Sequence, residues 1–125
     1  MKADTLLLRQ VHPNWIKGDK LLSVAFRPFP KDENQLSVYD GDQITPEASW
    51  DHFTQNFKAD GTWAVTPTET ANLSLPASPL VEGYFPEHCI IDFTGHDLKA
   101  QKAKSTLLAI QAEKRGCLFK PPTQP

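Results

Sequence analysis

Hydrophobic residues in this chain fall in short runs whose period changes several times, so it predicts many brief elements rather than a few long ones. Residues 5–11 form a leucine-rich run closed by His12-Pro13-Asn14, the pattern of a strand covered on both faces. Gly18-Asp19 marks a turn. Residues 21–26 then predict a second strand, ended by Arg27-Pro28-Phe29-Pro30, and residues 36–39 a third, after which Asp40-Gly41-Asp42 turns the chain. Thr45-Pro46-Glu47 opens a helix: the threonine caps, proline suits the first helical position, and an early carboxylate complements the dipole. Trp50, Phe53 and Phe57 share one face of that helix and read as core, with Asp60-Gly61 as its stop.

Trp63-Ala64-Val65 reads as a further strand, and Thr66-Pro67-Thr68-Glu69 has capping-box spacing for a short helix to about residue 73. Residues 75–79 read as a Pro/Ser-rich loop, and residues 80–85 as a strand that resumes after Pro86 over 88–93. The last helix is expected over 97–115 with Gly116 as its stop. Ala100, Ala103, Leu107 and Ile110 form its apolar face, and Lys114 and Arg115 sit at the negative end of its dipole. Cys117-Leu118-Phe119 is read as a brief closing strand. Strands outnumber helices and interleave with them irregularly, which gives an α+β fold. The expected architecture is a small mixed or antiparallel sheet of about five short strands, packed against two main helices and one short helix. One globular domain is expected over residues 1–120, with a tail at 121–125.

Composition narrows the function classes. With 125 residues, 39% hydrophobic and 22% charged, the chain has enough material for a core without staples. A net charge of −2 exerts no global pull toward nucleic acid or anionic lipid. Two cysteines imply no disulfide framework, the apolar run at residues 6–8 is far short of a signal-peptide core, and no segment has the length of a membrane helix. The expected location is therefore cytoplasmic. The eleven prolines sit at element boundaries and in loops.

Chemistry-bearing residues are densest over residues 87–97, where a strand turns at Gly95 into the last helix. Alternation puts His88, Ile90 and Asp92 on one face and Cys89, Ile91 and Phe93 on the other, the core side. His88 and Asp92 are then about 13 Å apart, too far to share an ion. Asp92 with His96 or Asp97 across the turn is the better pairing, against a structural reading in which Asp92 or Thr94 satisfies backbone donors at the helix start. The ligand spacings of zinc sites are absent, and neither a metal nor any other cofactor is expected. Cys89, between apolar neighbours, reads as an inert buried thiol.

A second cluster gathers Arg9, His12, Asn14 and Trp15. His12-Pro13-Asn14 resembles the HPN tripeptide of ubiquitin-conjugating enzymes over fewer than ten residues. Leu21 and Leu22 stand where that family's cysteine should follow, and only eleven residues precede the tripeptide, so no site is carried over. Arg9 and His12 ending a first strand, with Ser37 and Tyr39 on a later one, resemble the layout of ADP-ribosyl transferases that use NAD. That resemblance implies a nucleotide-binding enzyme built on Arg9, His12, Tyr39 and a carboxylate, Glu87 being the glutamate near a late strand. The tentative catalytic set is then Arg9, His12, Asp92 and His96. The alternative reading of Arg9 is an ion pair with Asp40 or Asp42 that fixes the sheet.

The last helix carries Lys99, Lys102, Lys104, Lys114 and Arg115 against Asp97 and Glu113. Phosphate contact with nucleic acid is compatible with that balance, but a solvated outer face is the favoured reading. None of the serines lies in a Gly-x-Ser-x-Gly turn. The expectation is a non-enzymatic protein-interaction module or accessory subunit of a larger assembly, with a protein partner and binding residues Trp15, Arg27 and Tyr39. The alternative is the nucleotide-binding enzyme.

Overall fold

In the computed structural model, residues 1–80 and 86–122 are described. Strands β1 (Leu7–Val11), β4 (Gln35–Asp40), β5 (Gly61–Val65), β6 (Ala77–Pro79) and β7 (His88–Asp92) form one antiparallel sheet in the order β5-β1-β4-β7-β6. A two-stranded ribbon, β2 (Ile16–Lys17) with β3 (Lys20–Leu21), branches off after β1. Helix α1 (Pro46–Phe53) covers one face of the sheet; α3 (Leu98–Arg115) covers the other, with α2 (Pro67–Ala71) beside it. The fold is α+β. None of its helices is long and apolar enough to cross a membrane, among the described residues.

Alternation along the strands divides the core in two. Leu7, Val11, Leu36, Val38, Val65, Cys89 and Ile91 face α3 and the 3-10 turn Ser23–Phe26, where Phe26, Phe93 and Leu108 are fully buried. Leu8, Tyr39 and Ala64 face α1 in a much smaller apolar cluster. The α1 side is completed by a buried hydrogen-bond chain. Thr62 Oγ1 donates to Gln10 Oε1 at 2.6 Å, Gln10 Nε2 donates to Ser49 Oγ at 2.8 Å, and Ser49 Oγ donates to the Pro46 carbonyl at 2.7 Å.

The local signals at helix ends are realised. Thr45 accepts from the Ala48 amide, Thr66 and Glu69 form the reciprocal capping box, Asp97 accepts from the Ala100 amide, and Gly116 ends α3 at φ 93°. Arg115, at the C-terminal end of α3, holds Glu69 of α2 by two bonds of 3.0 and 3.1 Å and donates to the Ala64 carbonyl on the outer edge of β5. On that same edge Thr62 exchanges backbone bonds with Leu118 and Phe119, so the expected closing strand is a single bridge.

Four expectations are corrected. Residues 21–26 are not one strand: after β3 the chain coils into the 3-10 turn, which lets consecutive Ala25 and Phe26 both be buried. The Trp50–Phe53–Phe57 stripe is only partly core, with half-buried Phe53 packed against the small cluster of Leu8, Tyr39 and Ala64. Helix α1 ends at Phe53, Phe57 is 63% exposed, and the buried residue of α1 is Ser49, held through Gln10. Part of the expected loop at 75–79 is strand β6, paired with β7. The expected strand at 80–85 falls, beyond Leu80, outside the described residues. Helix α3 is rotated by half a turn from the expected face: Gln101, Ser105, Leu108, Ala109 and Ala112 are buried, while Ala103, Leu107 and Ile110 are exposed.

Candidate functional site

The strand-to-helix stretch is a joint between sheet and helix. Asp92, at the end of β7, accepts from the Thr94 amide at 2.9 Å and from the Thr94 hydroxyl at 2.6 Å, closing a local turn. The chain reverses at Gly95, φ 89°, a conformation that favours glycine. Asp97 is the helix cap. His96 is pinned on both ring nitrogens: Nε2 lies 3.1 Å from the Ser74 carbonyl and Nδ1 lies 3.1 Å from Lys104 Nζ, which also donates to the Leu73 carbonyl at 2.6 Å. The carbonyl requires a donor at Nε2, so Nδ1 accepts from the lysine; this tautomer is assigned from the network. Neither His96 nor Asp97 bonds to Asp92. The donors at the helix start are met by Asp97 rather than by the expected Asp92 or Thr94, which bond to each other in the preceding turn.

The N-terminal cluster is also built around backbone groups. Arg9 donates from Nε to the Ala25 carbonyl at 2.8 Å and from Nη1 to the Ser37 carbonyl at 3.1 Å, with its guanidinium 5.3 Å from the Trp15 ring centroid. Burial pushes this guanidinium down to about 10, partly opposed by Asp32, so it stays charged at neutral pH. The expected ion pair with Asp40 or Asp42 does not form. Asp40 accepts from the Asp42 amide and the Gln43 side chain, and Asp42 accepts from the Thr5 hydroxyl. His12 Nδ1 accepts from the Asn14 amide at 3.0 Å, ordering the Pro13–Trp15 turn. His12, Trp15 and Phe29 form a row of tilted rings at 5.7 and 5.9 Å.

Strand register separates the residues of the nucleotide-binding alternative. Leu8 pairs with Tyr39, so Tyr39 lies on the α1 face and Arg9 on the α3 face. Asp92 pairs with Gln35, which puts it on Tyr39's face, two strands away from β1, about 10 Å across the sheet. Tyr39 is buried, its hydroxyl 2.8 Å from His52 Nδ1, and burial, with a contribution from Glu87, pushes the phenol up to about 12. Arg9 and His12 therefore share no pocket with Tyr39 or Asp92. No group of three or more His, Cys, Asp or Glu side chains able to hold a metal ion occurs among the described residues. Burial pushes the Cys89 thiol up to about 11, the state of an inert cysteine.

What remains open to solvent is apolar and basic. Phe29 is 37% and Leu22 38% exposed, and the Leu22 amide donates to the Trp15 carbonyl, which sets these three side chains on one region around the β2–β3 ribbon. Arg27, two residues before Phe29 in the chain, is half-buried, and its side chain has no ion pair among the described residues. Phe29 and Leu22 were missed in the sequence because Phe29 lies between two prolines and Leu22 within an apparent strand; the prolines were the available signal, since they hold a side chain outside regular structure. The chain matches no protein-family model, no curated protein and no solved structure.

Proposed function

We propose that this chain is a small, non-enzymatic protein-interaction module, working in the cytoplasm, whose contact surface centres on Trp15, Phe29 and Leu22. The observation that carries this reading is the mounting of Trp15: its ring lies against a guanidinium that is itself fixed by two carbonyls. A tryptophan held in this way loses little freedom on binding, and tryptophan and arginine are the residues most enriched among binding hot spots. The partner that fits is a protein segment with an apolar side chain for Phe29 and Leu22 and a carboxylate for Arg27. Two free cysteines accord with a reducing compartment.

The test is site-specific photocrosslinking from position 29 in the native cell, repeated with Arg27→Glu and Leu22→Ser. Loss of a discrete crosslinked partner in both variants, at unchanged thermal midpoint, is expected. Equal crosslinking in all three, or recovery of an uncrosslinked monomer, would sink the reading. A thermal shift with NAD tests the enzyme alternative: saturation at 100 times the dissociation constant would add about 2.7 kcal/mol.

A further inference from the structure

Helix α3 has a second apolar face that is largely open to solvent among the described residues. Successive residues turn by about 100°, so Ala103, Leu107 and Ile110 lie opposite the buried row of Gln101, Ser105, Leu108 and Ala112. Leu107 is 47% and Ile110 42% exposed. The same row is extended by Lys99 at one end and Lys114 at the other, both exposed and without an ion pair among the described residues. From Lys99 to Lys114 it measures about 22 Å. Alongside it, between α2 and α3, runs a groove of about 150 Å³ lined by Leu73, Leu107 and the polar side chains of Glu69, Asn72 and Gln111. A cavity of that volume admits a benzene ring, so the groove takes one apolar side chain.

We propose that this row docks an amphipathic helix of a partner protein, with apolar residues at i, i+4 and i+7 and acidic residues at both ends. Helix recognition through such anchors needs a narrow apolar strip with a lateral pocket, and α3 with its groove supplies both. The charges select the occupant. A second copy of this chain is disfavoured in either orientation, because a parallel pair sets Lys99 against Lys99 and an antiparallel pair sets Lys99 against Lys114. An acidic helix neutralises both ends. A membrane surface is disfavoured by the strip's width, three apolar residues. Of the three other cations of this helix, Lys104 is committed to Leu73 and His96, Arg115 is committed to Glu69, and exposed Lys102 projects about 100° round the helix from the strip, so they do not broaden it into a general basic face. This surface is separate from the Trp15 region and stands independently of it.

Fluorescence anisotropy with a dye-labelled helical peptide of about 18 residues tests the idea. The peptide carries leucines at the stated spacing and glutamates at both ends; a control replaces the glutamates with lysines. The acidic peptide is expected to bind at least tenfold tighter than the basic one, and more weakly as salt rises. Leu107→Glu should weaken it at least tenfold, Lys99→Glu with Lys114→Glu should invert the preference, and Phe29→Ala should leave it unchanged. Thermal midpoints measured in parallel separate lost binding from lost fold, and the charge variant stays informative if Leu107→Glu unfolds. Equal affinity for the two peptides, binding to neither, binding only to anionic phosphatidylserine vesicles, or a dimer in sedimentation that Leu107→Glu dissociates would each overturn the proposal.

Discussion

On one side of the sheet Leu7 and Val11 meet Phe26, Phe93 and Leu108 in a continuous apolar core; on the other, Leu8 and Gln10 from the same strand meet a tyrosine, an alanine and a hydrogen-bonded serine. The α3 side is held by area removed from water, which is non-directional and tolerates some repacking. The α1 side is held by three polar side chains whose worth depends on all of them being satisfied. One sheet therefore joins an element that can shift slightly to one that is fixed in angle and register.

Truncation in the apolar core is the strongest test of that contrast. Phe26→Ala or Phe93→Ala should cost about 3–5 kcal/mol in urea unfolding, whereas Phe53→Ala on the α1 side, half-exposed, should cost about 1 kcal/mol. Equal losses would erase the distinction. Next comes the polar chain: Gln10→Leu should cost about 2–3 kcal/mol by stranding Thr62 and Ser49, and adding Thr62→Val with Ser49→Ala should recover most of it. Additive losses in the triple variant would show that the three residues do not act as a unit.

The caps are worth less. Thr45→Ala on α1 and Asp97→Ala on α3 should each cost about 1 kcal/mol, read from thermal midpoints, and similar values would confine the difference between the faces to packing. The smallest effect is a pH dependence contributed from the α1 side. Tyr39 is raised from 10.0 to about 12, so between those values the folded state retains a proton that the unfolded state has lost. Stability should fall as pH rises through this window, and Tyr39→Phe should flatten that slope. An ultraviolet titration with both tyrosines ionising near 10.0 would contradict the burial of this phenol.

The parts of the fold legible in the sequence are those decided within a few residues. Thr45, the Thr66–Glu69 box and Gly116 each act on their own backbone, and each was readable from type and spacing alone, whereas the cap of α3, expected at Asp92 or Thr94, is Asp97. Strand alternation at residues 88–93 was equally local, and it put Cys89, Ile91 and Phe93 on the core side. The orientation of the helices was not legible, because it depends on what faces them. Gln101 and Ser105 lie off the apolar face expected from the sequence, yet Gln101 is buried where it donates to Asn34 and the His96 carbonyl, and Leu107 is turned outward. On α1, Gln10 draws Ser49 inward and leaves the aromatic stripe partly outside. The candidate site suffered in the same way: the residues chosen for their chemistry were those the backbone had already recruited.

The outer edges of the sheet bear on how this protein meets others. At β5 the Thr62 backbone is occupied by Leu118 and Phe119, and the Ala64 carbonyl by Arg115. At β6 the strand is three residues long and ends in Pro79, which has no amide hydrogen to offer. Among the described residues, a foreign strand therefore finds no row of free backbone groups along either margin, and neither does a second copy of the chain. Recognition is left to side chains, which discriminate between partners where a bare strand edge would accept almost any extended peptide.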